Sequence, residues 1–353
     1  MLTFGMLYFL VPKLYGTELF SKRAANIHFW LSTAGILFYA LPLYWAGFTQ
    51  AMMWKQFRPE GMLLYPNFLE TVLQIIPMYF LRVLGGAMYL SGAIVMAWNL
   101  RKTAKSGTFV PQESASAPAL TKATGRLPGE GLHRYIERKP MPLLVMSLIV
   151  VLIGGLVEIV PTMLVKSNVP TIAAVQPYTP LELEGRDLYI REGCNNCHSQ
   201  MIRPFRDETE RYGAYSKAGE FVYDHPFLWG SKRTGPDLHR EGDKYPDSWQ
   251  YHHMDDPRTM SPGSIMPPYP WLIEDDLDAT DLAGKIRAMQ TLGVPYPEGF
   301  DTEARAHMQA QAEQISQALA DDNISCSPEK EIIALIAYLQ RLGTDIQHSS
   351  TAN

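Results

Sequence analysis

Three long apolar stretches constrain the fold of this chain more than any other feature of its sequence. They cover residues 28–49, 75–100 and 141–165, and a helix of about 20 apolar residues is long enough to cross a bilayer. Because lipid offers the backbone no hydrogen bonds, each stretch predicts a membrane-spanning helix. A fourth apolar stretch, residues 1–12, is too short to span alone and looks like the end of a longer helix.

The loops between these stretches predict how the chain is oriented in the membrane. The loop between the second and third stretches carries eight Lys and Arg against three Asp and Glu, whereas the preceding loop carries two of each kind. Basic loops stay in the cytoplasm. The chain after about residue 166 is therefore predicted to lie in the periplasm, and the protein to be a multi-pass protein of a bacterial inner membrane.

The periplasmic part contains the run Cys194-Asn195-Asn196-Cys197-His198. Cys-x-x-Cys-His is the attachment pattern of a c-type haem. Two thiols one turn apart can each bond a haem vinyl group, and the adjacent imidazole then binds the iron as an axial ligand. The motif predicts one covalently attached haem c, with Cys194 and Cys197 as its attachment points and His198 on the iron. One such iron carries one electron, so the motif indicates electron transfer.

Two other uses of a cysteine pair compete with this interpretation. A structural zinc site needs four ligands, usually two cysteine pairs, and the sequence has only one other cysteine, Cys326. A four-thiolate site is therefore excluded. A thioredoxin-like dithiol stays open, although no βαβ pattern surrounds the motif.

A six-coordinate haem needs a second axial ligand, usually Met or His. Met266 is favoured among the methionines because Pro267 and Pro268 follow it directly and fix the backbone. His252 and His253 are the rival ligands.

A Gly-Pro-Asp-Leu run at 235–238 is the next candidate. In small cytochromes c, a Gly-Pro-x-Leu turn places its proline carbonyl against the second nitrogen of the haem histidine, which assigns that role here to Pro236. Surface charge is the simpler explanation for any one basic residue nearby, but three are candidate propionate contacts: Lys232, Arg233 and Arg203.

Two charged residues lie inside the predicted spans. Arg82 and Glu158 are each seven residues from an outer helix end, which places them roughly 10 Å deep. Charges at such depth are functional candidates by default. The prediction is that they face protein, where they would meet each other, the carboxylates of a buried cofactor, or a bound cation.

Helices are predicted at both ends of the C-terminal part. Residues 181–193 lead into the haem motif, and residues 328–342 carry an apolar stripe at helical spacing. In a small cytochrome c two such helices cross, although an ordinary amphipathic core helix gives the same pattern. Residues 300–327 are polar and rich in Gln and Ala, and they are predicted to form a surface excursion.

Charge is divided unevenly along the chain. Residues 1–170 carry fifteen Lys and Arg against seven Asp and Glu, whereas residues 171–353 carry sixteen against twenty-nine. An acidic periplasmic part favours encounter with a basic partner, such as a soluble electron carrier. Solubility alone is an equally simple explanation.

Longer runs around these motifs resemble a known family. The likeness to the mono-haem subunit of cbb3-type cytochrome c oxidases covers about 136–353 and is carried by 154–161, 189–205, 219–238 and 266–272. A likeness to the last helices of the same enzyme's catalytic subunit covers about 1–105 and is carried by 10–16, 26–31 and 82–99. The chain thus resembles a fusion of the two subunits.

The resemblance implies a mainly α fold, in which transmembrane helices precede a periplasmic all-α, class I-like cytochrome c domain. It divides the chain into subunit-I-like helices (1–105), a flexible cytoplasmic linker (106–135), a transmembrane anchor (136–170) and the haem domain (171–353).

The resemblance also implies an electron-transfer role without catalytic residues of the chain's own. Electrons from a soluble cytochrome c or a di-haem cytochrome c subunit would pass through the haem to the haem–copper catalytic subunit, which reduces oxygen to water and pumps protons. Those three proteins and membrane lipid are the implied partners, and nucleic acid is not among them.

Three further functions remain open at this point. The mono-haem subunit of a nitric oxide reductase also has one anchor before its haem domain, but the two additional spans and the run 199–238 argue against it. The second is a free membrane-tethered cytochrome c, and the third is a periplasmic dithiol oxidoreductase.

Overall fold

The computed structural model describes residues 2–110, 125–165, 170–230 and 232–346. Within these residues the chain is mainly helical, as predicted, and contains two isolated β-bridges but no strand. Residues 111–124 of the predicted linker lie outside the described residues. The helices are α1 (Leu2–Leu14), α2 (Lys22–Trp54), α3 (Phe68–Ser106), α4 (Leu132–Glu137), α5 (Pro140–Leu164), α6 (Pro180–Arg191), α7 (Arg206–Tyr212), α8 (Asp247–Asp255), α9 (Pro257–Met260), α10 (Trp271–Glu274), α11 (Leu282–Thr291), α12 (Phe300–Asp321) and α13 (Glu331–Arg341).

The chain divides into two compact units. The first comprises Met1–Gly47 and Ile76–Asn168, and the second comprises Phe48–Ile75 and Val169–Asn353. The second unit therefore includes a short segment, residues 48–75, from between the first two predicted spans.

Three helices are long and apolar enough to cross a membrane: Lys22–Trp54, Phe68–Ser106 and Pro140–Thr162. This confirms the three predicted spans. The first two helices extend beyond the apolar stretches, because polar residues at a helix end do not interrupt the backbone hydrogen bonds.

Helices α2 and α3 approach each other closely through small residues. A Cβ atom on Gly35 would lie 2.8 Å from the carbonyl oxygen of Gly85, and one on Gly85 would lie 2.7 Å from that of Gly35. A Cβ on Gly92 would overlap Ser32 Oγ. Small residues at such a crossing let two membrane helices pack backbone against backbone.

Two buried polar side chains of α3 support the start of α2. Asn99 Oδ1 accepts from the amide of Ser21 at 3.0 Å while its Nδ2 donates to the Ser21 carbonyl at 2.9 Å. Thr103 Oγ1 accepts from the amide of Phe20 at 3.0 Å. These bonds satisfy backbone groups that have no partner at a helix entry.

The core of the second unit is built on the crossing of α6 and α13. A Cβ on Gly185 would overlap the carbonyl oxygen of Ala334, so glycine is what permits the two backbones to approach. Helix α6 begins with a capping box in which Thr179 and Glu182 bond each other's backbone amides. The predicted stripe on α13 is fully buried: Ile332, Ile333, Ile336 and Leu339.

The surface excursion predicted for 300–327 is wrong. Most of this region is the regular helix α12, which contributes four buried side chains to the core: Ala304, Met308, Ala312 and Leu319. These residues recur at a spacing of four or seven and so form one helical face. The apolar face was not predicted because two of its four residues are alanines, which add little hydrophobicity.

The segment 48–75 packs on α7 within the second unit. It contains an antiparallel bridge between Phe57 and Leu63. Arg206 donates to the carbonyl of Gly61 at 2.7 Å and lies 4.6 Å from the centre of the Phe57 ring. Arg211 donates to three further carbonyls of the segment, at 2.7, 2.9 and 3.5 Å.

Candidate functional site

The cysteine motif directly follows α6 and is shaped by backbone hydrogen bonds. Gly193 has a φ of 72°, and Cys194–Asn196 form a single 3-10 turn after it. The amide of His198 donates to the carbonyl of Cys194 at 2.9 Å. The turn places both thiols on one short segment, with Cys194 half-buried and Cys197 exposed.

Both thiols of the motif are free. Burial, with a contribution from the charge of Glu192, raises the pKa of Cys194 to about 12. A dithiol oxidoreductase needs an attacking thiolate, and its pKa is lowered to produce one. The raised pKa of Cys194 makes this thiol a poor attacking group for dithiol exchange.

The imidazole of His198 is held through one nitrogen. Its Nδ1 lies 2.8 Å from the carbonyl oxygen of Pro236. Because a carbonyl only accepts, Nδ1 carries the proton and Nε2 is the nitrogen suited to bind a metal. Burial lowers the pKa of His198, and the bond to Pro236 offsets this in part, so the ring is neutral at neutral pH.

Gly235 leaves the space that this imidazole occupies. A Cβ atom at Gly235 would lie 2.7 Å from Nδ1 of His198, which is closer than non-bonded atoms come. The amide of Gly235 also donates to the carbonyl of Cys197 at 2.9 Å. The glycine therefore joins the Gly-Pro turn to the cysteine motif as well as making room for the ring.

Met266 lies in an irregular loop that comes close to the motif. Its side chain is partly buried against the core. The loop is tied to α8 because the amide of Tyr269 donates to the carbonyl of Met254 at 2.8 Å. At the end of the loop, Trp271 donates from Nε1 to the carboxylate of Glu192 at 3.1 Å, two residues before the first cysteine of the motif. Burial and the two thiols raise the pKa of Tyr269 in the same loop.

The two rival histidines have different environments. His252 is exposed, whereas His253 is half-buried and stacked on Trp249 with ring centres 4.5 Å apart. Burial and the nearby His198 lower the pKa of His253 to about 4, and its buried Nδ1 has no hydrogen-bond partner among the described residues. Of the two, His253 is therefore the one that stays a candidate ligand.

The structure brings Arg203 and Arg233 together on one carboxylate. Both form ion pairs with Glu208, which is 3% exposed. Arg233 is 10% exposed at its side chain and Arg203 is 51% exposed. Lys232 is exposed. Contact of these basic residues with haem propionates stays a prediction.

Sequence reasoning missed three polar residues at the site: Ser199, Glu208 and Asp237. All are buried. Asp237 accepts hydrogen bonds from Ser199 and from the amide of Met201, and Glu208 accepts one from the amide of Arg203. Asp237 lies inside the Gly-Pro-Asp-Leu run, so an acid directly after the proline of that run was the available signal. Its partners depend on the fold and leave no local pattern.

The residues assembled here fit a c-type haem. The donor set combines two unpaired thiols, separated by two residues, with an imidazole whose Nδ1 is fixed by a carbonyl. Covalent attachment plus an oriented axial histidine uses those groups. Gly235 provides the space beside the ring that this arrangement needs.

The two charges in the predicted spans are not brought together. Arg82 donates to the hydroxyl of Tyr39 at 3.2 Å and lies over the rings of Tyr39 and Tyr79. Glu158 is exposed on α5, and no ion pair joins these two residues in the described chain. Arg82 thus faces protein through aromatic side chains, and a functional role for either charge stays a prediction.

Comparison with known proteins defines the class as a component of a cytochrome c oxidase. Residues 1–88 match the family model described as "Cytochrome C and Quinol oxidase polypeptide I". Residues 133–346, more than half of the chain, match "Cytochrome C oxidase, mono-heme subunit/FixO". The chain therefore belongs to the mono-haem subunit/FixO family, with a segment similar to polypeptide I before it.

Three similar proteins are cytochrome c oxidase subunit 1 or a homologue of it. The chain is 47% identical over 104 residues to a cytochrome c oxidase subunit 1 homologue of Agrobacterium tumefaciens (strain T37), which covers 29% of this chain and 19% of that protein. It is 41% identical over 121 residues to cytochrome c oxidase subunit 1 of Rhodobacter capsulatus, covering 32% and 23%. It is 34% identical over 117 residues to the cbb3-type cytochrome c oxidase subunit CcoN1 of Stutzerimonas stutzeri, covering 33% and 24%.

The chain spans between about a fifth and a quarter of the length of these relatives. The matches confirm the resemblance to cbb3-type oxidases at the level of the enzyme, and an oxidase component is expected to associate with other oxidase subunits.

Proposed function

We propose that this chain is the electron-transfer subunit of a cbb3-type oxidase. It would pass single electrons from a cytochrome c, soluble or di-haem, through one covalently bound haem c to the haem–copper subunit. That subunit would reduce oxygen to water with proton pumping, and the chain would not be catalytic alone.

The observation that carries the proposal is the hydrogen bond from His198 Nδ1 to the Pro236 carbonyl, next to two free thiols. This arrangement lies inside the segment that matches the mono-haem family. When bound, the haem supplies a one-electron redox couple.

The residues of the chain have separate tasks in this proposal. Cys194 and Cys197 fix the group covalently, so that it stays with the subunit through both redox states. The Pro236 carbonyl holds the proton on Nδ1 of His198 and thereby keeps Nε2 available to the iron. Met266 would supply the sixth ligand from the loop beside the thiols, since a thioether favours a high potential.

The proposed placement of the haem domain is the periplasm of a bacterial inner membrane. Three apolar helices support a membrane protein, and the basic loop between the second and third predicted spans supports this orientation. The excess of Asp and Glu after residue 170 would attract a basic electron donor.

The decisive experiment is a reduced-minus-oxidised spectrum of the affinity-purified chain, solubilised from native membranes in mild detergent. Bands of both c-type and b-type haem are expected, because the catalytic subunit would remain bound. A c-type band alone would favour a free tethered cytochrome, and no haem band would overturn the proposal.

The three cysteines offer a matched control for haem attachment. Cys194→Ser and Cys197→Ser should each weaken or abolish covalent haem on a denaturing gel, while Cys326→Ser should keep the staining of the parent. Cys326 is also a free, half-buried thiol, so loss of staining in all three variants would indicate a general folding defect instead of attachment.

A further inference from the structure

A buried carboxylate links the two chain segments on either side of the His198–Pro236 bond. Asp237 is 3% exposed. Its Oδ2 accepts from Ser199 Oγ at 2.6 Å and from the amide of Met201 at 2.8 Å. Its Oδ1 accepts from the amide of His239 at 2.9 Å. One side chain thus joins the segment that follows the histidine to the turn that follows the proline.

Arg233 contacts the same segment from the other side. Its Nε donates to Ser199 Oγ at 2.9 Å, and one terminal nitrogen donates to the carbonyl of Met201 at 2.8 Å. The guanidinium also forms an ion pair with Glu208 at 2.7 Å. Because its donors are engaged by protein acceptors, Arg233 acts on the chain next to His198 through several bonds at once.

These contacts hold the chain on both sides of the hydrogen bond between His198 and Pro236. Ser199 directly follows His198, which donates the bond, and Asp237 directly follows Pro236, whose carbonyl accepts it. The amide of Leu238 donates to the carbonyl of Ser199 at 2.9 Å. The donor and the acceptor of the histidine bond therefore cannot move apart without breaking buried hydrogen bonds.

We infer that Asp237, Ser199 and Arg233 are positioning residues that fix the His198–Pro236 hydrogen bond and through it tune the potential of the haem. This rests on the proposed function. A strong bond to Nδ1 raises the basicity of the axial imidazole and so stabilises the oxidised iron. Weakening the hydrogen bonds made by Asp237, Ser199 and Arg233 should therefore raise the midpoint potential.

Two variants test the positioning role of these three residues without changing the net charge of the site. Ser199→Ala removes the hydroxyl shared by Asp237 and Arg233, and Arg233→Lys keeps the charge but removes the planar fork. Both should shift the midpoint potential upward and change the EPR g-values of the oxidised haem, which report the orientation of the axial imidazole. Arg287→Lys is the control, because Arg287 is 61% exposed and pairs with Asp301 at the surface.

Asp237→Asn completes the set by removing a buried negative charge. A shift of the midpoint potential in Asp237→Asn alone would assign the effect to charge and overturn the positioning role. Midpoint potentials and g-values equal to those of the parent in all variants would also overturn it. If Arg233→Lys fails to accumulate, the milder Ser199→Ala still decides the matter. Absence of a c-type band in the parent would instead refute the proposed function.

Discussion

The fit of His198 in the site depends on a single missing methyl group. A Cβ atom at Gly235 would overlap its imidazole, so Gly235→Ala should displace the ring and reduce covalent haem per chain several-fold. Overpacking of this kind costs about 1–3 kcal/mol. The measurement is haem staining relative to immunostaining of the same band.

Gly284→Ala is the control for that substitution. Gly284 lies inside α11, and an added Cβ would meet its nearest neighbour at 4.0 Å. The change should stabilise the helix by about 0.5–1 kcal/mol and leave haem content unchanged. Equal haem content in both variants would contradict the importance of space at Gly235.

Exchanging the sixth ligand should separate Met266 from His253. Met266→His is expected to lower the midpoint potential, because a second imidazole replaces the thioether, and to abolish the sulfur-to-iron charge-transfer band. His253→Ala should leave both properties at parental values. The opposite pattern would assign the iron to His253.

Glu208 predicts a pH-dependent contribution to stability. Burial raises its pKa, but hydrogen bonds from Arg233 and Arg203 outweigh this and lower the pKa below its ordinary value of 4.5. A carboxylate with a depressed pKa stabilises the folded state above that value, and the contribution is lost as pH falls through the folded-state pKa.

Glu208→Gln should therefore destabilise the protein at pH 7, by about 3 kcal/mol if the pair behaves as other buried ion pairs do. The difference in unfolding midpoint between parent and variant should narrow as the pH falls below 4.5. Denaturant titrations in detergent at a series of pH values measure this, and a difference independent of pH would contradict it.

At this scale the sequence predicted residues with covalent or local roles and missed those with partners far along the chain. The motif at 194–198 is recognisable because the proposed attachment of a haem requires two cysteines and a histidine at a fixed spacing. Asp237 and Glu208 are ordinary acids in the sequence, and their importance arises only when the fold brings Ser199 and Arg233 against them.

At the scale of elements, the side chains of the short helix α7 contact two different parts of the second unit. Glu208 bonds arginines near the haem motif, while Arg206 and Arg211 bond carbonyls of the segment 48–75. The helix therefore connects that segment to the site through side chains only a few residues apart.

Arg211→Ala should loosen the segment 48–75. Three hydrogen bonds to backbone carbonyls would be lost, and a charged hydrogen bond contributes about 1.5 kcal/mol. Amide exchange at Arg58 and Leu64, which bond within the turn, should accelerate by at least about tenfold. Arg287→Ala, which removes an exposed arginine, is the matched control, and equal exchange in both variants would contradict the docking role.

The helices show which elements a sequence pattern can predict. The three spans were predictable because an apolar run of that length has few other structures open to it. Helix α12 was not, because its buried face uses Ala304 and Ala312. Alanine is common on exposed and buried helix faces alike, so the pattern carried little information until the packing was known.

At the scale of the whole molecule, the proposed orientation predicts opposite results for two reporters. A green fluorescent protein fused after Val110 should fluoresce, because that end would be cytoplasmic. Alkaline phosphatase fused after Ile346 should be active, because it folds only in the periplasm. With the two reporters exchanged, neither fusion should be active. Activity of the exchanged reporters would indicate the opposite orientation in the membrane.

The second compact unit is built from two stretches of chain separated by residues 76–168. Because residues 48–75 are covalently connected to the rest of the unit, they cannot diffuse away from it. Their effective concentration at the docking site is set by the length and stiffness of the connecting chain and not by the expression level. The few bonds made by Arg206 and Arg211 can then be modest and still persist. Were the chain cut within residues 106–135, the contacts between those two stretches would have to hold two separate polypeptides together.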